Sequence, residues 1–287
     1  MSIKTILVPI DGTEVSRTAL DAALLLGRDL AAHVDVLHVA TDPKDAVPLL
    51  GEGMSAAIIE EMIQLAEREA TERTARAEAM FEDARARFEL ATQASPPAGE
   101  NGSALLVKTT GREDVLCAEK GRLVDMVVTA RPTEQSDASL AMTINAAIFE
   151  TGRPVLIAPP HLPETIGKKI AISWNGSAEA SCAVAAAIPL ITRAESVTVL
   201  TAENDKTSSA VAAELVAYLA WHGVSADSRN LPGGSQVGEV LLEDCKSIGA
   251  DLLVMGAYTH SRMRQLILGG VTKHVLANAG LPVLMAH

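Results

Sequence analysis

Two short runs near the end of the chain carry residue types suited to holding an anion. Asp251-Leu252-Leu253-Val254-Met255-Gly256 is an unbroken apolar run entered from an acid and ending in glycine. That pattern predicts a central parallel strand covered on both faces. Further on, Gly269-Gly270-Val271-Thr272 opens a segment of helical spacing that runs to Ala279. A strand that ends in glycine and a helix that begins with glycines both expose backbone N–H groups unshielded by side chains. Free amides at the positive end of a helix make a phosphate cradle. The same glycines also suit a tight turn and a close helix contact.

Between these runs, His260, Ser261, Arg262 and Arg264 supply further donors, or form an exposed polar loop. Other chemistries find less support. Cys117, Cys182 and Cys245 lie far apart with no Cys-x-x-Cys, and each sits in a helical pattern that predicts a small buried side chain. His222, His274 and His287 have no spaced carboxylate or thiol partner, and Glu203 and Asp205 read as solvated acids. No Gly-x-Ser-x-Gly, Gly-Lys-Ser/Thr or His-Glu-x-x-His motif occurs. A net charge of −12 and 2% aromatic residues argue against nucleic acid, which needs basic and stacking surfaces. No signal peptide or spanning segment is read, so the expected location is the cytoplasm, with no membrane partner.

These candidate residues need elements to position them. The 287 residues, 48% of them hydrophobic, suffice for two domains. Thr5 to Gly12 reads as a strand ending in an acidic turn at Asp11, followed by a helix from Ser16 to Leu30 and a strand from Val34 to Ala40. This is a βαβ unit. Ile59, Ile63, Ala66, Ala70, Ala77, Phe81, Ala84 and Phe88 then predict a long amphipathic helix over residues 53–91, lying on one sheet face. Strands follow at 105–108, 125–130 and 152–158, with helices at 113–123 and 136–150 between them. Pro159 to Pro163 reads as a linker.

After it the pattern restarts. Lys169 to Ser177 repeats Thr5 to Thr13, Asp251 to Val254 repeats Asp125 to Val128, and Gly280 to Met285 repeats Gly152 to Ile157. One helix, Ser208 to Trp221, replaces the long segment. The fold class is therefore α/β, as two tandem copies of one five-stranded unit, residues 1–159 and 167–287.

The run Met255 to Arg262 followed by Leu268 to Thr272 resembles the nucleotide loop of the universal stress protein family, and the resemblance extends over both copies. The family's ATP-binding members carry Gly, two residues, Gly, nine residues, Gly, then Ser or Thr. Here Gly256 and Gly269 match, while Thr259 and Gly270 depart. The resemblance implies a parallel sheet of order 3-2-1-4-5 with helices on both faces, and a ligand at the switch point between strands one and four.

It further implies a regulatory protein with an adenine nucleotide, ATP or another, in the second copy. The nucleotide-binding residues would be Ser173, Asn175, Met255, Gly256, Thr259, Gly269, Gly270, Val271 and Thr272. In the first copy Ala130, Ala141 and Met142 stand in the places of Gly256, Gly269 and Gly270, so its loop is degenerate, although Asp11 is kept. Asn175 replaces that acid in the second copy, which speaks against Mg. No catalytic or metal residue is assigned, and hydrolysis is at most slow. The alternatives are a nucleotide-free module for an unidentified protein partner, or a weak ATPase. Family members pair through their last strand, so an intramolecular pseudo-dimer is expected, with a further homodimer as an option.

Overall fold

The computed structural model describes residues 2–42, 55–132, 138–202, 209–234, 236–257 and 270–287. The first half runs β1 (Thr5–Ile10), α1 (Glu14–Leu30), β2 (His33–Ala40), α2 (Ala56–Arg87), β3 (Ala91–Thr92), β4 (Ser103–Thr110), α3 (Glu113–Gly121), β5 (Met126–Ala130), α4 (Ala138–Glu150) and β6 (Val155–Ala158). The second half follows with β7 (Lys169–Ser173), α5 (Ala178–Ile191), β8 (Ser196–Ala202), α6 (Ser209–Trp221), β9 (Asp227–Leu231), α7 (Val237–Ser247), β10 (Leu252–Gly256), α8 (Gly270–Asn278) and β11 (Val283–Ala286).

Two separate five-stranded sheets do not form. The strands make one eleven-stranded sheet of order β3-β4-β2-β1-β5-β6-β11-β10-β7-β8-β9. Leaving β3 aside, the order from each outer edge inward is third, second, first, fourth, fifth strand of its half. The sheet is continuous because β6 and β11 pair antiparallel, with Val155 opposite Met285, Leu156 opposite Leu284 and Ile157 opposite Val283. Each of these short strands would otherwise present an apolar ladder with unpaired N–H and C=O groups, and the pairing satisfies both. The extra strand, β3, sits on the outer edge beside β4. It falls where the long helix was expected to continue; α2 ends at Arg87 instead.

Every other strand pairing among the described residues is parallel. Central strands such as β1 and β5 are apolar and buried on both faces, as a parallel sheet between helices requires. One core cluster joins the α1 and α5 faces of the two halves, and a second lies on the opposite side beneath α3, α4, α7 and α8. Because β6 and β11 run oppositely, the carboxyl ends of the two sets of strands lie at opposite edges of the sheet.

An acid pins the amino end of each first strand. Asp125 accepts from the amides of Lys4 (2.8 Å) and Thr5 (3.0 Å). Asp251 does the same for Gly167, Lys168 and Lys169, at 3.1, 3.1 and 2.8 Å. The acid that opens the fourth strand thus ties down the first. The long helix α2, about 48 Å at 1.5 Å per residue, is mostly exposed at its start. Its later turns bury Ala77, Met80, Phe81 and Ala84. The crossed ion pairs Arg17–Asp83 (3.2 Å) and Arg87–Asp21 (2.9 Å) fasten that end to α1.

Leu156 and Leu284 are fully buried and face each other across the junction. Truncating either to Ala is expected to destabilise the chain by about 2–5 kcal/mol. The double variant should lose less than the sum, because the two side chains share one cavity. Urea unfolding of the four proteins of the cycle measures this; strict additivity would mean the strands do not meet.

Candidate functional site

Each half builds the same turn at the carboxyl end of its first strand. In Asp11-Gly12-Thr13 the Asp11 Oδ1 accepts from the Thr13 amide (2.9 Å) and hydroxyl (2.7 Å), and Thr13 caps α1 by accepting from the Ser16 amide (3.4 Å). In Asn175-Gly176-Ser177 the Asn175 Oδ1 accepts from the Ser177 amide (3.1 Å), and Ser177 caps α5 through the Ala180 amide (3.2 Å). Gly12 and Gly176 both take the left-handed conformation, at φ 78° and 72°. Asp and Asn present the same acceptor to this turn, so exchanging them leaves its geometry in place and changes its charge.

In the first half, Asp11 and Ala130 line one crevice of about 260 Å³ between the ends of β1 and β5. Its walls come from six further places: the start of α1 (Thr13, Ser16), the end of β2 (Val39), α2 (Arg73), the β4–α3 joint (Arg112, Glu113, Asp114), Thr129 on β5, and α4 (Leu140, Met142). A Cβ on Gly12 would lie 2.8 Å from the Arg73 carbonyl oxygen, so α2 rests directly on the turn. Buried His38 holds it there, with Nδ1 2.9 Å from the Ile10 carbonyl and Nε2 3.0 Å from the Thr74 hydroxyl.

Electrostatically the crevice is acidic. Burial raises the Glu113 carboxyl above its ordinary range, against a hydrogen bond from the Thr143 hydroxyl (2.8 Å), and the charges of Asp11 and Asp114 raise it further. Asp11 goes the other way: burial alone would raise it, but the hydrogen bonds from Thr13 and Ser16 together hold it low. Asp114 is held low by the Arg112 guanidinium, 2.6 Å away. The Thr129 hydroxyl is fully buried and has no hydrogen-bond partner among the described residues.

The second half brings some of the predicted site residues together. Ser173 lies opposite Met255 in the ladder, and exposed Asn175 follows it at the carboxyl edge. Met255 is buried and packs into the core. Gly256 has a reason of its own: a Cβ there would lie 2.5 Å from the Ala180 amide nitrogen, so its missing side chain admits the first turn of α5. Gly270 is exposed, and no described atom lies within 4 Å of where its Cβ would be. Val271 packs on the core and Thr272 is buried. Thr259, Gly269, His260, Ser261, Arg262 and Arg264 lie outside the described residues, as do Glu203 and Asp205.

Burial pushes the Cys117 and Cys245 thiols up to about 12, in keeping with inert packing roles, but Cys182 is exposed, contrary to expectation, because it falls on the outer side of α5. Among the described residues no three His, Cys, Asp or Glu side chains converge as metal ligands, and no helix is long and apolar enough to cross a membrane. Sequence reasoning missed Arg73, Glu113, Asp114 and Thr129. The polar run Gly111-Arg112-Glu113-Asp114 at a strand-to-helix joint was a usable signal for two of them; Arg73, inside a long charged helix, gave none.

A model of the universal stress protein family matches residues 2–148 and 191–287. The universal stress protein Slr1230 of Synechocystis sp. (strain ATCC 27184 / PCC 6803 / Kazusa) is 26% identical over 302 residues, spanning 98% of this chain and 99% of that protein. The crystal structure of a universal stress protein from Archaeoglobus fulgidus DSM 4304 superposes with a TM-score of 0.69 at 15% identity, covering 98% of this chain and 97% of its own. The functionally unknown protein PA1789 from Pseudomonas aeruginosa PAO1 gives 0.57 at 16% identity, with 99% and 92% covered. At these identities the solved structures establish the fold.

Two expectations follow from the site's packing and charge. Gly256→Ala should lower the melting temperature by several degrees with no ligand present, because the methyl group strikes α5. Glu113→Gln keeps the acceptor for Thr143 and removes the strained charge. A carboxyl raised in the folded state stabilises below its unfolded pKa, and that stability is lost as pH rises through the folded value. The variant should therefore melt higher than the parent near neutral pH and no higher at about pH 4. Melting curves across that range check the sign.

Proposed function

The chain belongs to the universal stress protein family, and from that premise we propose that it is a stress-response regulatory protein whose second half holds ATP or another adenine nucleotide. In this reading residues 1–159 and 167–287 are two units of the family fold, and they work as a binding module. The observation that carries it is the edge at the β7–β10 switch point. There Ser173 ends one strand with Asn175 just beyond it in the turn, and Met255 and Gly256 end the next. Parallel crossovers bring the following helix back to the same edge, so Gly270, Val271 and Thr272 at the head of α8 belong there too. The uncrowded Cβ position of Gly270 leaves backbone accessible where a phosphate would approach. Thr259 and Gly269 complete the proposed set.

The first half is unsuited to the same ligand. Glu113 and Asp114 occupy the first turn of α3, and Asp11 stands on the turn before α1, so carboxylates already fill the places an anion would take. Asn175 brings no charge to the second site, which makes Mg dispensable to the proposed binding.

A second reading, a nucleotide-free interaction module, is favoured by Gly256, whose lack of a side chain is already explained by α5. One titration separates the two. ATP is expected to bind the full chain in chelator as well as in magnesium. Gly270→Val should weaken that binding about tenfold or more without lowering the melting temperature, since its side chain meets no described residue. Absence of any ATP binding selects the interaction module. Binding that requires magnesium would show that another acid completes the site.

A further inference from the structure

The first-half crevice shares the scaffold of the second site and has the opposite chemistry. Its far end lies on the α3–α4 side of the sheet, where Thr129 follows Val127 in the strand's alternation. Three features meet at that end. The Glu113 carboxyl receives one hydrogen bond, from Thr143, and stands within the electrostatic reach of Asp11. Thr129 offers a fully buried hydroxyl that no described protein group satisfies. Val39, Leu140 and Met142 supply apolar wall. A buried hydroxyl without a partner is a standing loss, and two carboxylates sharing a crevice repel. A ligand that donates hydrogen bonds, carries positive charge and has a short hydrocarbon body relieves all three.

We propose that this crevice binds a small aliphatic amine in its protonated form, with the ammonium held between Asp11 and Glu113 and hydrogen-bonded to the Thr129 hydroxyl oxygen. An anion is disfavoured because carboxylates already occupy the helix starts. A metal ion is disfavoured because no ligand cluster exists among the described residues. Two cations border the crevice. Arg112 is tied to Asp114 at 2.6 Å. Arg73 stands on the α2 side, where it also lines an adjoining cavity with Asp11 and Glu69, and the Glu113 carboxyl stays raised with both arginines present. Binding draws Glu113 into its ionised form and therefore weakens as the solution is acidified through its raised pKa, with Asp11, Asp114, Arg73 and Arg112 keeping their charges.

The test is calorimetric titration of the full chain at about pH 7.5 with 1,4-diaminobutane, and with 1,4-butanediol as the uncharged match in length. The diamine is expected to bind and the diol to give no heat. Glu113→Gln should weaken diamine binding about tenfold or more, and Thr129→Val several-fold, while both variants melt no lower than the parent. Gly270→Val, at the opposite edge of the sheet, should leave diamine affinity unchanged, which separates this site from the proposed nucleotide site. The proposal is overturned if the diamine does not bind, if the diol binds equally, if Glu113→Gln and Thr129→Val both bind as the parent does, or if Gly270→Val abolishes binding.

Discussion

The antiparallel pairing of β6 with β11 is the constraint on which the rest of the molecule depends. Each half is a parallel sheet whose fifth strand has one unpaired side, and an apolar strand edge left in water is costly and adhesive. Joining the two edges within one chain removes both liabilities and makes Leu156 and Leu284 neighbours in a shared core. It also dictates where ligands can go. Binding in such folds takes place beyond the carboxyl ends of the strands. The antiparallel seam turns those ends to opposite edges, so the carboxyl edges of the two halves cannot form one composite site and are free to differ.

They differ by substitutions that the scaffold tolerates. Asp11 and Asn175 supply the same acceptor to the same Asx turn, so the charge at that point can change with no rebuilding of the turn. Ala130 and Gly256 differ for a reason of packing, since α5 comes close enough to β10 to exclude a methyl group. Around Asp11 the long helix α2 adds Arg73 and a wall, while α3 adds Glu113 and Asp114. The second half has the shorter α6 in the place of α2. Glycine count alone therefore describes the two sites incompletely, because side chains from neighbouring helices also shape the first.

Much of the fold was legible in the chain. The apolar runs, the Asp-Gly-Thr and Asn-Gly-Ser turns and the restart at Lys169 are local signals, because burial on both faces, left-handed glycines and helix caps each depend on a few adjacent residues. The meeting of the last strands was legible too, since Val155-Leu156-Ile157 and Val283-Leu284-Met285 are too apolar to be left as free edges. Polar edge strands were harder to read: β9, with Asp227, Ser228, Arg229 and Asn230, lacks the apolar run that identifies its neighbours. The two-residue β3 has too little sequence to carry any pattern.

By itself, then, the sequence determined the parallel α/β units, their order and the acceptor at the end of each first strand. Tertiary structure decided that the units form one sheet. It also decided that Asp125 and Asp251 act as clamps on first strands far away in the chain, and that Gly256 serves a helix contact. And it brought Arg73, Glu113 and Thr129, from α2, α3 and β5, around Asp11. The physical reason is common to all of these. Periodicity reports which way a side chain faces, whereas a crevice is made by side chains from separate elements whose distance is set by ladder register and helix packing over the whole sheet.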